Sequence, residues 1–241
     1  LYTLAADAGY TVVRTQAEAE ALTAEAGKAV VISEQLADGD SIPYELDREE
    51  GTWALSDYVS KGIEMLDNDT GFFMMVEGGK IDWACHANDA GSTLGDTKAL
   101  SDAVEEAIAF YNEHPDETLI LVGESGVTVD NADSHPTGVT SGSLVMTEYE
   151  LGLLEDAYNM TMTKTDDTEL TQEEYILYGS YEPLSVTITH ILNNKSGIDF
   201  SSYSHTGLPV AVYAMGAGQE LFEGYYDNTD IYFNLAELTG V

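Results

Sequence analysis

One cysteine, Cys85, stands in a chain of 241 residues, so no internal disulfide can form. Basic residues are also scarce: 8 Lys and Arg face 44 Asp and Glu, for a formal net charge of -36. Phosphate binding relies on Lys and Arg, so nucleic acid and anionic membrane surfaces are excluded as expected partners. There is no run of about 18 apolar residues, and no membrane span is expected. No stretch reads as an EF-hand loop, because Asp38-Gly39-Asp40 and Asp227-Asn228-Thr229-Asp230 are too short and lack the closing glutamate. The start, Leu1-Tyr2-Thr3-Leu4, has no Met, no basic region and no signal peptide, and reads like the middle of a longer chain. No internal repeat is visible.

Apolar residues make up 44% of the chain, an ordinary share, so a folded globular protein is expected. The length suffices for one large domain with a full core, or two small ones. The acid excess fits high environmental salt, secretion with a need for solubility, or divalent-cation binding, and the first two are favoured.

Strand and helix patterns alternate. Thr11–Val13 is a short β-branched run. Residues 16–26 read as helix, with Thr15 as N-cap and Gly27 as stop. The apolar run Ala29–Ser33 reads as a buried strand, residues 34–53 as an irregular connection, and 56–66 as an amphipathic helix. Gly71–Val76 is a second buried-strand pattern, with Glu77 at its carboxyl end. A long amphipathic helix carries Leu100, Val104, Ala107, Ile108 and Tyr111, and a third strand follows at Thr118–Val122. Residues 126–146 are polar, and capping boxes at Thr147 and Thr171 open short helices. Pro183 begins another helix, Pro209–Ala214 returns as a strand, and Thr229–Leu238 closes as a helix with Gly240 past its end. The pattern predicts an α/β fold: a mostly parallel sheet sandwiched by helices, with a polar insertion over 126–182 before the last strand. Ligands in such sheets gather at the carboxyl ends of strands, where Glu77 and Glu124 fall.

Asp82 and His86 lie four residues apart, Glu77 precedes Asp82 by five, and His205 supplies a distant second imidazole. Two imidazoles and one carboxylate fill three of zinc's four tetrahedral positions and leave one open, as a catalytic zinc requires. Taken alone, Asp82 and His86 read better as a surface ion pair on a helix start. Glu77 alone reads as a solvated strand-end carboxylate.

The segment Glu77-Gly78-Gly79-Lys80-Ile81-Asp82-Trp83-Ala84-Cys85-His86-Ala87-Asn88-Asp89-Ala90 resembles the metal-binding segment of the alkaline phosphatases. Ser204-His205-Thr206-Gly207 resembles that family's late histidine motif, and residues 220–231 its closing segment. The similarity spans residues 1–241 with gaps, as a single α/β domain similar to the C-terminal part of those enzymes, with 126–182 as a crown-like region. The resemblance implies a phosphomonoesterase using Zn2+ and Mg2+: Asp82, His86 and His205 on the first zinc, Glu77 on magnesium, and Trp83 flanking the phosphate pocket. It implies in-line displacement at phosphorus through a phosphoserine, a small phosphomonoester substrate, a homodimer or a companion N-terminal half, and a periplasmic or extracellular setting.

Two departures stand out. Family members follow the strand resembling Thr118–Val122 with an Asp-His pair for a second zinc, but here the chain reads Gly123-Glu124-Ser125-Gly126. Glu124 could stand in as an oxygen ligand and His135 as a nitrogen ligand; neither matches a motif. The family's nucleophilic serine, phosphate-binding arginine and first metal-binding aspartate belong to an N-terminal half that this sequence does not contain. An inactive pseudophosphatase that keeps one metal site is therefore the first alternative. A serine hydrolase using Ser125 is the second, weakened because Val127 stands where a nucleophile elbow needs Gly. His190 reads as a packed core histidine, His114 as an exposed helix end, and His135 as a solvated loop residue. Cys85 reads as a small, partly buried residue beside the site, with zinc ligation as a minority reading, and Lys80 as either a phosphate contact or a solvated lysine.

Overall fold

Capping boxes open helices where threonine and glutamate stand three residues apart, as the pattern predicts. The computed structural model describes residues 1–123, 146–164 and 170–240. Thr15 caps α2 (Gln16–Glu20), Thr147 caps α6 (Glu148–Thr163) and Thr171 caps α7 (Gln172–Tyr178), each hydroxyl accepting an N–H three residues on. In each box the glutamate answers on the threonine N–H, so two otherwise orphaned donors are satisfied at once. Asp227 caps α9 (Asn228–Thr239) by accepting from the Thr229 N–H at 3.0 Å, while Asp230 accepts from the Asp227 N–H at 3.0 Å. The remaining helices are α1 (Tyr2–Asp7), α3 (Leu55–Leu66), α4 (Gly79–His86), α5 (Ala90–Glu113) and α8 (Pro183–Ser196). The strands are β1 (Thr11–Val13), β2 (Ala29–Val31), β3 (Leu119–Gly123) and β4 (Val212–Gly216).

The chain divides into two units. One comprises Leu1–Gly78, Thr97–Ser125 and Pro209–Val241; the other comprises Gly79–Asp96 and Gly126–Leu208. In the first unit β1 pairs with β2 in parallel, from Thr11↔Ala29 to Val13↔Val31. Val13, Ala19 and Leu22 form its buried core, packed by Ala26, Ala29, Val31, Trp53 and Met65. Lys61 of α3 donates to the carbonyls of Glu20 at 3.1 Å and Leu22 at 2.9 Å, covering acceptors left open where α2 ends. β3 pairs with β4 antiparallel, from Leu119↔Gly216 to Gly123↔Val212. Gly216, at φ 109°, lies where a Cβ would run into the Thr118 carbonyl, so this position requires glycine.

Three expectations need correction. The helix expected over 16–26 divides into α2 and a 3-10 turn at Ala24–Ala26, because Thr23 takes an extended backbone between them. Gly71–Val76 forms no strand and is mostly exposed, with only Met74 half-buried. A buried strand needs a ladder partner to satisfy its N–H and C=O groups, and no described strand pairs with this run. The α/β class holds, but the described strands form two separate pairs, one parallel and one antiparallel, rather than one mostly parallel sheet.

In the second unit α6 packs on α8, with Ala157, Val186 and Ile191 buried. Lys195 of α8 meets Glu150 of α6 at 2.8 Å. Pro183 opens α8 at the position where its missing N–H costs nothing, and Glu182 accepts from the N–H groups of Leu184 at 2.9 Å and Ser185 at 2.8 Å. These helices carry the segment that follows α8, which holds His205.

Candidate metal centre

Asp82 and His86 project from the same face of α4, because residues four apart on a helix are neighbours. His205 comes from the irregular segment after α8. The structure brings the three together: one ligand atom from each lies within 4.8 Å of the others. The two Nε2 atoms of His86 and His205 are 3.3 Å apart, and His86 Nε2 is 3.4 Å from Asp82 Oδ1. Zinc ligands at about 2.0–2.1 Å in a tetrahedron stand about 3.3–3.4 Å from one another, so these two separations fit that ion.

His86 Nδ1 lies 2.7 Å from the carbonyl of Tyr203. A carbonyl only accepts, so Nδ1 carries the proton in this hydrogen bond. In the neutral ring Nε2 is then left with a free lone pair directed at Asp82 and His205. Metal-binding histidines are commonly held this way, the outer hydrogen bond selecting the tautomer and the ring orientation. The ring of Tyr203 is itself anchored. Its hydroxyl donates to the Leu177 carbonyl at 2.5 Å and lies 3.1 Å from His190 Nε2, and the two rings stack. Burial pushes the Tyr203 hydroxyl up to about 12 and lowers His190 below its ordinary value. Tyr181 is raised, first by burial and then by the charge of Asp82.

Lys80 is buried rather than solvated, with its ammonium 3.9 Å from the centre of the Trp83 ring. That is cation–π distance. Trp83 keeps 44% of its surface exposed. Cys85 is buried, with its sulfur 3.7 Å from Thr93 Oγ1. His190 is half-buried and packed, as its apolar neighbours predict, while His114 is partly stacked on Phe110 at the end of α5. Glu77 is exposed and belongs to the first unit. Glu124, Ser125 and His135 lie outside the described residues. Pattern reading missed two contributors, the Tyr203 carbonyl and Asn88. The first carries no side-chain signal. The second had one: an asparagine two residues beyond a helix end.

A family model for alkaline phosphatase matches residues 2–241. Alkaline phosphatase 4 of Bacillus subtilis (strain 168) is 30% identical over 200 residues, which cover 77% of this chain and 43% of that protein. Alkaline phosphatase 3 of the same organism is 28% identical over 221 residues, covering 83% of this chain and 46% of that protein. The chain thus spans less than half the length of these curated relatives. Among solved structures, a cold-active alkaline phosphatase from a psychrophilic Shewanella sp. superposes with a TM-score of 0.68 at 22% identity, over 99% of this chain and 61% of that one. A mutant alkaline phosphatase from the Antarctic bacterium TAB5, with Mg bound in its M3 site, superposes with a TM-score of 0.60 at 21% identity, over 99% of this chain and 55% of that one. With the metal-binding segment, the late histidine motif and the closing segment in one order, this chain belongs to the alkaline phosphatase family.

Proposed function

We propose that this chain is the metal-holding part of a phosphomonoesterase. The observation that carries the proposal is the convergence of Asp82, His86 and His205 within 4.8 Å. In this reading the three residues hold zinc, and Glu77 holds magnesium. A zinc ion there would polarise a phosphoryl oxygen and lower the pKa of bound water. The chain's own residues do the rest. The Tyr203 carbonyl holds the proton of His86 on Nδ1, Asp82 supplies negative charge to offset the cation, and Trp83, backed by Lys80, walls the side where an ester would lie. The substrate is a small phosphomonoester, and the setting is periplasmic or extracellular. The strands belong to a larger helix-sandwiched sheet completed by a companion N-terminal half, which would also supply the nucleophilic serine and phosphate-binding arginine. A homodimer is the other assembly this reading allows.

A second reading, an inactive relative that keeps one metal site, is favoured by Gly123-Glu124-Ser125-Gly126 standing where the Asp-His pair is expected. Glu124 is the substitute ligand that would argue against it. Metal analysis and aryl phosphate turnover at alkaline pH, with added zinc and magnesium, separate the two. The isolated chain should bind zinc through Asp82 and His205, lose it in Asp82→Ala and His205→Ala, and hydrolyse the ester several orders of magnitude more slowly than a full enzyme, because groups that act as a unit are missing. Turnover that returns when an N-terminal half is added supports the phosphatase. Zinc binding with no turnover in either case supports the inactive relative. A chain that takes up no zinc sinks both.

A further inference from the structure

We infer that Asn88 is a positioning residue for this centre, the link that sets His205 against His86; the inference rests on the metal reading above. The end of α4 is a Schellman turn. Asn88 N–H donates to the Cys85 carbonyl at 3.0 Å and Asp89 N–H to the Ala84 carbonyl at 2.9 Å. Asn88 occupies the left-handed position, at φ 54°. Glycine is the usual residue there and asparagine the next commonest, so an asparagine in place of the strain-free glycine asks for a further role. The side chain supplies one. Its amide faces two carbonyls, those of Cys85 and Ser202, which orients its nitrogen toward both, at 3.1 Å and 2.9 Å. Asn88 is 2% exposed, so these bonds are sheltered from water.

The two carbonyls bracket the site in sequence. Cys85 immediately precedes His86, and Ser202 immediately precedes Tyr203, whose carbonyl receives the His86 Nδ1 proton. One amide therefore ties the ligand-bearing end of α4 to the segment that carries His205. The turn is held from the other side by Asn193 of α8. Its Nδ2 donates to the Asn88 carbonyl at 2.5 Å, and its Oδ1 accepts from Ala90 N–H at 3.3 Å. Asn193 is also buried. Buried polar groups must be paired, and here the pairing runs from α8 through Asn88 to both histidine-bearing segments. The cluster's short Nε2–Nε2 separation is thus set by a link that no metal ligand contributes.

Asn88→Gly separates a cap from a clamp. It keeps the left-handed turn and removes only the amide. Zinc affinity of the full chain is measured by competition with a chromophoric chelator, and the melting temperature of the metal-free chain in EDTA. The clamp predicts at most a modest fall of the melting temperature in EDTA, as sheltered carbonyls lose a partner while the left-handed turn is relieved of strain, with zinc bound about ten- to hundredfold more weakly, the range for lost outer hydrogen bonds at metal sites. Substituting cobalt should show an altered ligand-field spectrum in the variant. Equal zinc affinity in variant and parent overturns the inference and leaves the metal reading standing. A parent chain that binds no zinc overturns the metal reading, and this inference with it. If Asn88→Gly fails to fold, the side-chain amide of Asn88 in the unaltered metal-free chain decides: separate, slowly exchanging proton resonances support the clamp, and rapidly exchanging ones overturn it.

Discussion

Gly179 shows how one residue outside the ligand set can bear on the site. It ends α7 at φ 59° and ψ -133°, a conformation that L side chains rarely take. A Cβ there would lie 3.0–3.3 Å from ring atoms of Tyr203, tighter than ordinary contact. Gly179→Ala should therefore cost about 1–3 kcal/mol in backbone strain alone, measurable as a lower denaturant midpoint. Because the Tyr203 ring must yield, the carbonyl that holds His86 should move as well, and zinc affinity should fall with stability. An alanine variant as stable as the parent would mean that the turn relaxes freely. Lys80 teaches the converse lesson at the same scale. A lysine beside a phosphate pocket reads as solvent-facing, yet here its stem is buried and its charge rests on Trp83, consistent with the apolar reach of that side chain.

At the scale of elements, the α6–α8 pair depends on two carboxylates. Glu150 is brought to about 2, first by Lys195 and then by the Thr147 N–H and hydroxyl. Burial acts to raise Glu182, but hydrogen bonds from Ser185 and Thr161 and from the N–H groups of Ser185 and Leu184 outweigh it, and it too is brought to about 2. A carboxylate depressed in the folded state binds its proton more tightly in the unfolded chain. Its stabilising effect is thus present above the unfolded value of 4.5 and is lost as pH falls from there toward about 2. Comparing variants with the parent isolates this effect from the many other carboxylates. The stability difference between parent and Glu182→Ala should be constant above pH 5 (about half a unit clear of the unfolded value) and shrink steadily below pH 4.5. A difference that does not change with pH would remove the cap's electrostatic role. Thr171→Ala, which loses the capping box of α7, should cost about 1 kcal/mol, and part of that loss should also fade at low pH, because Thr171 is the first cause lowering Glu174.

Over the whole molecule, charge dominates. A net -36 on 241 residues repels itself, and salt screens that repulsion over about 10 Å at about 0.1 M. The melting temperature should rise from low salt to molar NaCl, and a flat or falling curve would discard the reading of the acidity as salt adaptation. No described helix is long and apolar enough to cross a membrane. Large apolar side chains nevertheless remain in the open, among them Phe73, Met75 and Tyr213 in the first unit. Gly71–Val76 has the composition of a buried strand without a partner, which fits a chain spanning less than half the length of its curated relatives. Added N-terminal chain should bury Phe73 and Met75, detectable as loss of dye binding to exposed apolar surface.

Local chemistry was enough to determine four of the helix starts. Thr15, Thr147, Thr171 and Pro183 specify them because a cap is a bargain between residues three apart, or a ring that fixes φ. The candidate ligands were legible too, since metal chemistry restricts which side chains serve and a helix places Asp82 and His86 on one face. Strand pairing was not legible. Gly71–Val76 matches the pattern of a buried strand, but a strand exists only if another supplies its hydrogen bonds, and periodicity says nothing about that partner. The closeness of His86 and His205 was likewise decided only in three dimensions, because 119 residues separate them and the links between their segments are a backbone carbonyl at Tyr203 and the amide of a left-handed Asn88. Neither a carbonyl's direction nor a positive φ is written in residue type; both follow from how α8 and the segment after it pack against the end of α4.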